Sequence, residues 1–324
     1  MNKTVKMIVS KFLAVALLPL AVYAVFAALR PQALLSVDIP FMILNQCLNS
    51  IVLAWGMSFA MMIGNMDFSA IAERILGSIT GIMLCNWMGP AGLVLGVLLV
   101  AVIVGFAKAV LAAAMDVKSR VITIAYTLVL GSFGYIVTAG DTATVKAGLG
   151  VLGEEWFCNT LFVVLGVIMY VLHRYSLFGA QCRALAGNEA LALSAGIKKK
   201  YVEGVATVVC SLFIAASALL AVARGGGATP QSGLTSMSAV FSAMSAVFIA
   251  NALSRYISQP IGIIVGSYTM TLMIYGLVAC NLPTQLTTTV NGGFLFVILI
   301  FTQIKDARDQ EKIRRAAVAA NMAA

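Results

Sequence analysis

Residues 93–114 read LVLGVLLVAVIVGFAKAVLAAA and contain a single charged side chain, Lys108. As a helix, this stretch is long enough to cross the roughly 30 Å hydrocarbon core of a bilayer. A helix also satisfies every backbone hydrogen bond in lipid, where water is absent. The stretch therefore predicts a membrane-spanning helix. Because Lys108 lies close to one end of it, we expect this side chain to snorkel toward the interface.

The rest of the chain has the same character. Of 324 residues, 61% are hydrophobic and 10% are charged, and the mean hydropathy is +1.00. An ordinary soluble domain carries roughly 25% charged residues, and a single water-soluble core cannot hide so much apolar surface. The composition excludes a soluble protein and predicts one all-α polytopic membrane domain over residues 1–324.

Apolar runs separated by short polar breaks recur along the chain and predict about ten transmembrane helices, the eighth and tenth being the weakest. These spans are residues 12–29, 41–64, 71–88, 93–114, 121–138, 156–171, 202–222, 237–253, 261–279 and 289–302. The first is longer than a usual signal-peptide core and has no A-x-A site, which favours a retained anchor over a cleaved signal.

The basic residues give the orientation. With the N-terminus inside, three of the 21 cations, Arg30, Lys146 and Arg224, fall in outside loops, Lys108 lies in a span, and the other 17 lie inside. This asymmetry follows the positive-inside rule and places both termini in the cytoplasm. The net charge of +9 then indicates attraction to anionic lipid of the bilayer and not to nucleic acid. A short basic tail at 305–324 is expected at the cytoplasmic face.

The sequence contains few residues or motifs typical of metal, cofactor or nucleotide binding. The six cysteines are scattered singly, and with one histidine, His173, a metal site is not expected. We interpret the cysteines as packing residues and His173 as an interfacial residue. The chain has no G-x-x-x-x-G-K-[ST] phosphate loop, so it is expected to bind no cofactor itself, and ATP would be handled by another chain.

The longest predicted cytoplasmic loop, residues 173–201, contains a well-marked short helix. Asn188 is a good N-cap and Glu189 follows at the positive end of the helix dipole. The helix can end at Gly196 in a left-handed cap, with three lysines beyond it. A helix this short needs a surface to lie on. It either rests on the membrane or docks into a cytoplasmic motor, and the residues alone do not decide between the two.

The second predicted span carries four polar residues, Asn45, Gln46, Asn49 and Ser50. Asn45 and Asn49 are one turn apart on one helix face. Polar groups at this depth either form hydrogen bonds between helices or face a water-filled passage. Hydrogen bonding between helices is the simpler interpretation. They are still candidates for a solute path, with a weaker set of serines around the eighth span: Ser236, Ser238, Ser242 and Ser245. Two further pairs, Gly77 with Gly81 and Gly262 with Gly266, are interpreted as close helix contacts.

Four motifs, in the expected order, resemble the permease subunits of sugar-type bacterial ABC importers, the ribose, xylose, galactose and autoinducer-2 group. Three are GNMDFS at 64–69, KSRVIT at 118–123 and ARGGGATPQSG at 223–233. The fourth is the loop motif, whose matching residues are Phe178, Gly179, Ala184, Gly187, Asn188, Ala192, Gly196 and Ile197.

The resemblance implies a membrane-spanning permease subunit in the bacterial inner membrane, which translocates a small sugar-like solute. Its implied partners are an ABC ATPase subunit, an extracytoplasmic solute-binding protein and a second permease, identical or unlike. It also assigns the loop residues to ATPase coupling, namely Gly187, Asn188, Glu189, Ala192, Gly196 and Ile197, and adds Asp67 to the path candidates. Glycine pairs usual before the ninth span are missing here, which favours an unlike permease pair.

Two other classes were weighed against this interpretation. An ion-gradient-driven secondary transporter tends to place ionisable residues near the bilayer midplane, whereas Asp67, Glu73 and Glu203 all fall near predicted span ends. A membrane enzyme is less well supported, since the sequence offers no catalytic or metal-binding cluster. ATP dependence of uptake separates the first two classes.

Overall fold

The computed structural model describes residues 3–36, 38–114, 119–254 and 256–283, together with scattered positions between 286 and 311. Its helices are α1 (Lys3–Leu29), α2 (Pro31–Leu34), α3 (Asp38–Met62), α4 (Ala70–Met88), α5 (Pro90–Ala114), α6 (Ser119–Thr138), α7 (Glu155–Arg174), α8 (Leu177–Gly187), α9 (Glu189–Ser194), α10 (Lys199–Gly225), α11 (Met237–Ala252) and α12 (Gln259–Ala279). The all-α prediction is confirmed for this part of the chain.

Two very short strands and one 3₁₀ turn interrupt the helices. β1 (Ala143–Thr144) pairs antiparallel with β2 (Gly227–Ala228), and the 3₁₀ turn is Gly150–Gly153. The small sheet joins the loop after α6 to the loop after α10. These two loops therefore lie at the same end of the bundle.

The first nine predicted spans each fall on one helix. Six described helices, α3, α5, α6, α7, α10 and α12, are long and apolar enough to cross a membrane. The count of ten is not confirmed and stays a prediction. α4 carries Glu73 and Arg74 near its start, α11 has only 16 residues, and the span at 289–302 and the tail at 305–324 fall mostly outside the described residues.

Small residues let the helices approach closely. A Cβ added to Gly81 would lie 2.9 Å from Leu93, and one added to Gly96 would lie 2.6 Å from the Gly81 backbone. A Cβ on Gly266 would meet the Ala246 backbone at 2.5 Å. Helices in lipid associate through such close packing. The two glycine pairs read from the sequence are confirmed as contact points of α4 with α5 and of α12 with α11.

α3 and α10 form the centre of the core. The largest fully buried side chains include Trp55 and Phe59 of α3, which pack among residues of α7, α10, α11 and α12. Five of the six cysteines are buried, and Cys280 is half-buried. The interpretation of the cysteines as packing residues is therefore confirmed for those five.

Candidate functional site

A cavity of about 780 Å³, the amide cavity, opens at one end of the bundle between α3, α7 and α10. Three predicted path residues, Asn45, Gln46 and Asn49, line it together, because their spacing places them on neighbouring turns of α3. Ser50 is half-buried and is not among the lining residues. The lining residues are Met42, Asn45, Gln46, Asn49, Gly153, Glu155, Cys158, Ala221, Ala223, Arg224 and Gly225.

The three amides of this cavity differ in how far their hydrogen bonds are used. The Asn49 carbonyl accepts from Ser217 Oγ at 2.7 Å, and Asn49 Oδ1 accepts from the Ser50 N–H at 2.9 Å. Gln46 is exposed, and its side chain makes no hydrogen bond to any residue that the structure describes. The Gln46 amide and the Asn49 NH₂ group therefore remain available to a ligand in the cavity.

Two charged residues complete the amide cavity and were not predicted as path residues. Arg224, near the end of α10, donates from Nη1 to the backbone carbonyl of Asn45 and from Nη2 to Asn45 Oδ1 at 3.3 Å. Glu155 lies in the first turn of α7, where the helix dipole favours a carboxylate. Arg224 belongs to the motif ARGGGATPQSG at 223–233, and this motif is the feature of the sequence that could have identified it. With one cation and one anion, the charges that line the cavity balance.

Two aromatic side chains of α3 lie below the amides and close the cavity at that end. Trp55 stacks on Phe162 with ring centroids 5.2 Å apart, and its Nε1–H donates to the Pro260 carbonyl at 3.0 Å. Phe59 packs against Phe178 at a centroid distance of 5.2 Å. Since Trp55 and Phe59 are both buried, the amide cavity is open at one end of the bundle and closed toward the other.

A buried charge cluster, made of Lys108, Asp67, Glu73 and Ser69, ties the turn before α4 to α5. Lys108 Nζ lies 2.7 Å from Asp67 Oδ2 and 2.6 Å from Glu73 Oε2, and it donates to Ser69 Oγ at 3.3 Å. The prediction that Lys108 snorkels is wrong: its side chain is 2% exposed, because two carboxylates within the bundle bind its ammonium group.

Asp67 therefore does not join the amides of the cavity. Its Oδ1 accepts from the N–H of Ser69 at 2.9 Å and from Ser69 Oγ at 2.6 Å. Burial opposes ionisation of the Asp67 carboxyl, but the Lys108 ammonium and the Ser69 hydrogen bonds outweigh it and hold the pKa of Asp67 below its usual value. Its place on a solute path stays a prediction, while its contacts give it a structural role in this turn.

Three members of the weaker serine set, Ser236, Ser242 and Ser245, do not line the amide cavity. Ser236 and Ser245 are buried, and Ser245 Oγ donates to the Phe241 carbonyl at 2.7 Å. Ser242 is half-buried, and the side chain of Ser238 lies outside the described residues. The structure thus separates the three described serine side chains from the α3 amides.

The predicted short helix of the loop is present as α9, with both predicted caps. Asn188 Oδ1 accepts from the Leu191 N–H at 3.1 Å, and Gly196 adopts φ +86°. The Ile197 N–H donates to the Ala192 carbonyl at 3.1 Å, which closes the left-handed cap. This segment, residues 188–197, is called the capped loop below.

Charge and burial fix the capped loop on the bundle. Lys199 Nζ lies 2.6 Å from Glu189 Oε1, which joins α9 to the start of α10. Ala192 is buried against the core, whereas Leu191 and Leu193 are 67% and 46% exposed. The neighbouring helix α8 was not predicted. The sequence feature that could have predicted the start of α8 is Ser176. Its Oγ caps the helix by accepting from the Gly179 N–H at 2.9 Å.

Comparison with known proteins agrees with this architecture. Residues 39–302 match the family described as "Branched-chain amino acid transport system / permease component". The L-arabinose ABC transporter permease protein AraH of Azospirillum brasilense is 23% identical over 263 residues, which cover 77% of this chain and 75% of that protein. No solved structure matches the chain. Because the family match includes the amide cavity, the charge cluster and the capped loop, the chain belongs to this family of ABC transporter permeases.

Proposed function

We propose that this chain is the membrane-spanning permease subunit of a bacterial ABC importer and passes a small, neutral, sugar-like solute through the inner membrane. The observation that carries the proposal is the amide cavity. Its volume of about 780 Å³ falls in the range of roughly 300–1,000 Å³ that small-molecule sites occupy. Its amides supply both donors and acceptors, which hydroxyl groups of a sugar require.

The balance of charge favours a neutral solute over an acid or an amine. Arg224 and Glu155 both line the amide cavity, so neither charge dominates. The Arg224 guanidinium is already engaged with Asn45, which leaves it less free to bind a carboxylate. A pentose fits this chemistry, and L-arabinose, which the name of the relative AraH mentions, supports a pentose as the first solute to test.

The closed end below the amide cavity supports alternating access. Trp55 and Phe59 stand between the cavity and the loops at the other end of the bundle. A solute that enters among the amides can leave only when this aromatic layer opens. Such an opening is a rearrangement of packed helices, for which a separate ATPase subunit would provide the energy.

The capped loop supports contact with that ATPase subunit. Its helix is too short to be stable alone, is anchored by the Lys199–Glu189 pair, and exposes Leu191 and Leu193. Apolar side chains exposed on a fixed helix suit a groove of a partner protein. On this proposal a solute-binding protein delivers the solute at the open end, and a second permease, identical or unlike, completes the channel.

Reconstitution tests the proposal. The chain would be placed in liposomes with its ATPase and binding protein, and uptake of labelled L-arabinose would be measured with ATP or ADP inside. We expect ATP-dependent uptake that unlabelled pentoses compete for and amino acids do not. ATP-dependent uptake of a branched-chain amino acid, with none of a sugar, would contradict the proposed solute class.

One observation favours a second candidate, a secondary transporter driven by an ion gradient. The charge cluster places two carboxylates and an ammonium in the interior, and buried ionisable residues of this kind mark ion pathways in many transporters. The same liposomes separate the candidates. Uptake that survives without ATP and collapses with a protonophore or a sodium ionophore would favour the secondary transporter.

A further inference from the structure

A second cavity, of about 290 Å³, lies at the end of the bundle opposite the amide cavity, and we call it the arginine pocket. It is formed where α7 and α11 end and α12 begins, beside α8. Along α3 it adjoins Met62, which at 1.5 Å per residue lies about 25 Å from Asn45. The lining residues are Met62, Tyr170, His173, Arg174, Arg183, Asn251, Ser254, Ile257, Ser258 and Gln259.

The arginine pocket is cationic. Arg174 and Arg183 line it, and no acidic residue is among its described lining residues. Arg183 is half-buried and uses Nη1 to donate to the His173 carbonyl, and its other N–H groups have no partner among the described residues. Arg174 is exposed, and its side chain makes no hydrogen bond or ion pair with any residue in the described part of the chain. The two guanidinium groups thus give the described lining a positive charge that an anion would balance.

The start of α12 adds further donors to the arginine pocket. Ser258 is the N-cap residue, yet its side chain makes no capping hydrogen bond. Its Oγ is buried and has no partner among the described residues. A buried hydroxyl without a partner costs free energy unless a ligand or water supplies one. The positive end of a 21-residue helix at the same place favours a negatively charged group.

A chain of hydrogen bonds holds the neutral wall of the pocket in shape. His173 Nε2 lies 2.8 Å from Gln259 Oε1, and a carbonyl oxygen can only accept, so the histidine nitrogen is the donor. Gln259 Nε2 in turn donates to Asn251 Oδ1 at 3.1 Å. Gln259 is 8% exposed. The chain joins α7, α12 and α11, so the pocket is formed before any ligand arrives.

We propose that the arginine pocket is a binding site for a phosphate group, held by Arg174, Arg183, Ser258 and the first turn of α12. The planar guanidinium fork matches the oxygens of a phosphate, and the pocket volume suits a phosphate with a small organic part. The group could belong to a free anion, such as a pentose 5-phosphate, or to the headgroup of an anionic lipid at this end of the bundle. By joining α7, α8 and α12 at the closed end, the bound phosphate stabilises that closure.

Thermal unfolding of the purified full chain in nanodiscs tests this site. In phosphatidylcholine nanodiscs, inorganic phosphate and pentose 5-phosphate would be titrated against sodium chloride at equal ionic strength. In phosphatidylglycerol nanodiscs, the chain would be measured both without and with added phosphate. A rise in the unfolding midpoint with phosphate in neutral lipid assigns the site to free anions. A rise in anionic lipid over neutral lipid, with no further gain from phosphate, assigns it to the headgroup.

Substitutions tie either result to the pocket. Arg174→Gln removes a side chain that bonds to no described residue, so it should leave the fold intact and weaken the apparent affinity about tenfold, the typical loss of one charge-assisted hydrogen bond. Arg183→Gln should weaken it by a similar factor and should also lower the midpoint without phosphate, because the hydrogen bond to the His173 carbonyl is lost. Ser258→Ala should weaken the affinity about threefold. Arg120→Gln is the matched control, because Arg120 is exposed on α6 and does not line the pocket.

Two results would overturn the proposal. The first is the absence of any midpoint shift in both lipid mixtures, as expected if an acidic side chain of the ATPase subunit is the true counterion. The second is an equal loss of affinity in Arg120→Gln and Arg174→Gln, which would mean that the anion responds to overall basic charge and not to this pocket.

Discussion

The guanidinium of Arg224 holds Asn45 through two hydrogen bonds, one to its backbone carbonyl and one to its side-chain oxygen. The pair joins the end of α10 to the first half of α3 at the amide cavity. It fixes the orientation of the Asn45 amide, so the NH₂ group points away from Arg224 and can donate elsewhere. Arg224, a residue of the motif at 223–233, thus positions Asn45, a polar residue of the second predicted span.

Replacement of Arg224 tests that relationship. Arg224→Lys keeps the charge but loses the fork that reaches two acceptors at once. We expect a fall in uptake of about threefold to tenfold, the effect of losing one or two hydrogen bonds, with normal protein abundance. Arg30→Lys is the control, because Arg30 is exposed and does not line the cavity. Unchanged uptake in Arg224→Lys would show that the pair is dispensable.

Removal of Lys108 tests the charge cluster. Lys108→Met leaves the Asp67 and Glu73 carboxylates buried without their cation. Breaking a buried ion pair in this way typically costs about 3–5 kcal/mol, so the variant should unfold at a clearly lower temperature in detergent and accumulate poorly. Lys146→Met, at an exposed loop, should change little.

A triple variant separates charge from packing in the same cluster. Lys108→Met combined with Asp67→Asn and Glu73→Gln removes the unpaired charges together with their partner. It should recover most of the lost stability, since neutral groups of the same shape are much less costly to bury than isolated charges. No recovery would mean that the stability lost in Lys108→Met does not come from the unpaired carboxylates.

Gly196 tests the capped loop. At φ +86° a β-branched residue is strained by about 1–2 kcal/mol, so Gly196→Val should displace α9 and reduce ATP-driven uptake while membrane insertion stays normal. Gly196→Asn is the matched control, because asparagine tolerates the left-handed conformation. Full activity of the valine variant would favour a helix that only rests on the membrane.

Labelling tests the orientation. The small sheet and the Thr142–Thr229 hydrogen bond of 3.1 Å place the loops of Lys146 and Thr229 at one end of the bundle. Single cysteines at these two positions should react with an impermeant maleimide from outside the cell, and one at Lys199 should react only after permeabilisation. Opposite labelling of Lys146 and Thr229 is incompatible with this fold.

Local signals in the sequence were sufficient for much of the architecture. The extent of α3 and α7 follows from apolar length alone, and α9 follows from Asn188 and Gly196, because caps act within a few residues. The amides of the cavity were also predictable as a group, since Asn45 and Asn49 share a helix face.

Contacts between residues that are far apart in the chain could not be predicted from the sequence. Lys108 lies 35 residues from Glu73 and 41 from Asp67, and nothing in the local pattern shows that these three meet. Arg224 and Asn45 are 179 residues apart. The arginine pocket likewise takes its residues from five helices, α3, α7, α8, α11 and α12. Such contacts depend on how helices pack, which periodicity does not specify.

The central claim is that the amide cavity is the entrance to the solute path, and Asn49→Ala tests it most directly. Asn159→Ala is the control, because Asn159 is exposed on α7 near the same end but does not line the cavity. The measurement is ATP-driven uptake of labelled L-arabinose by reconstituted complexes, with competition by other pentoses. The account predicts that Asn49→Ala lowers uptake about threefold to tenfold and changes the order of competing sugars at normal protein abundance, while Asn159→Ala does neither. Wild-type rate and selectivity in Asn49→Ala would contradict it, because Asn49 would then only join helices.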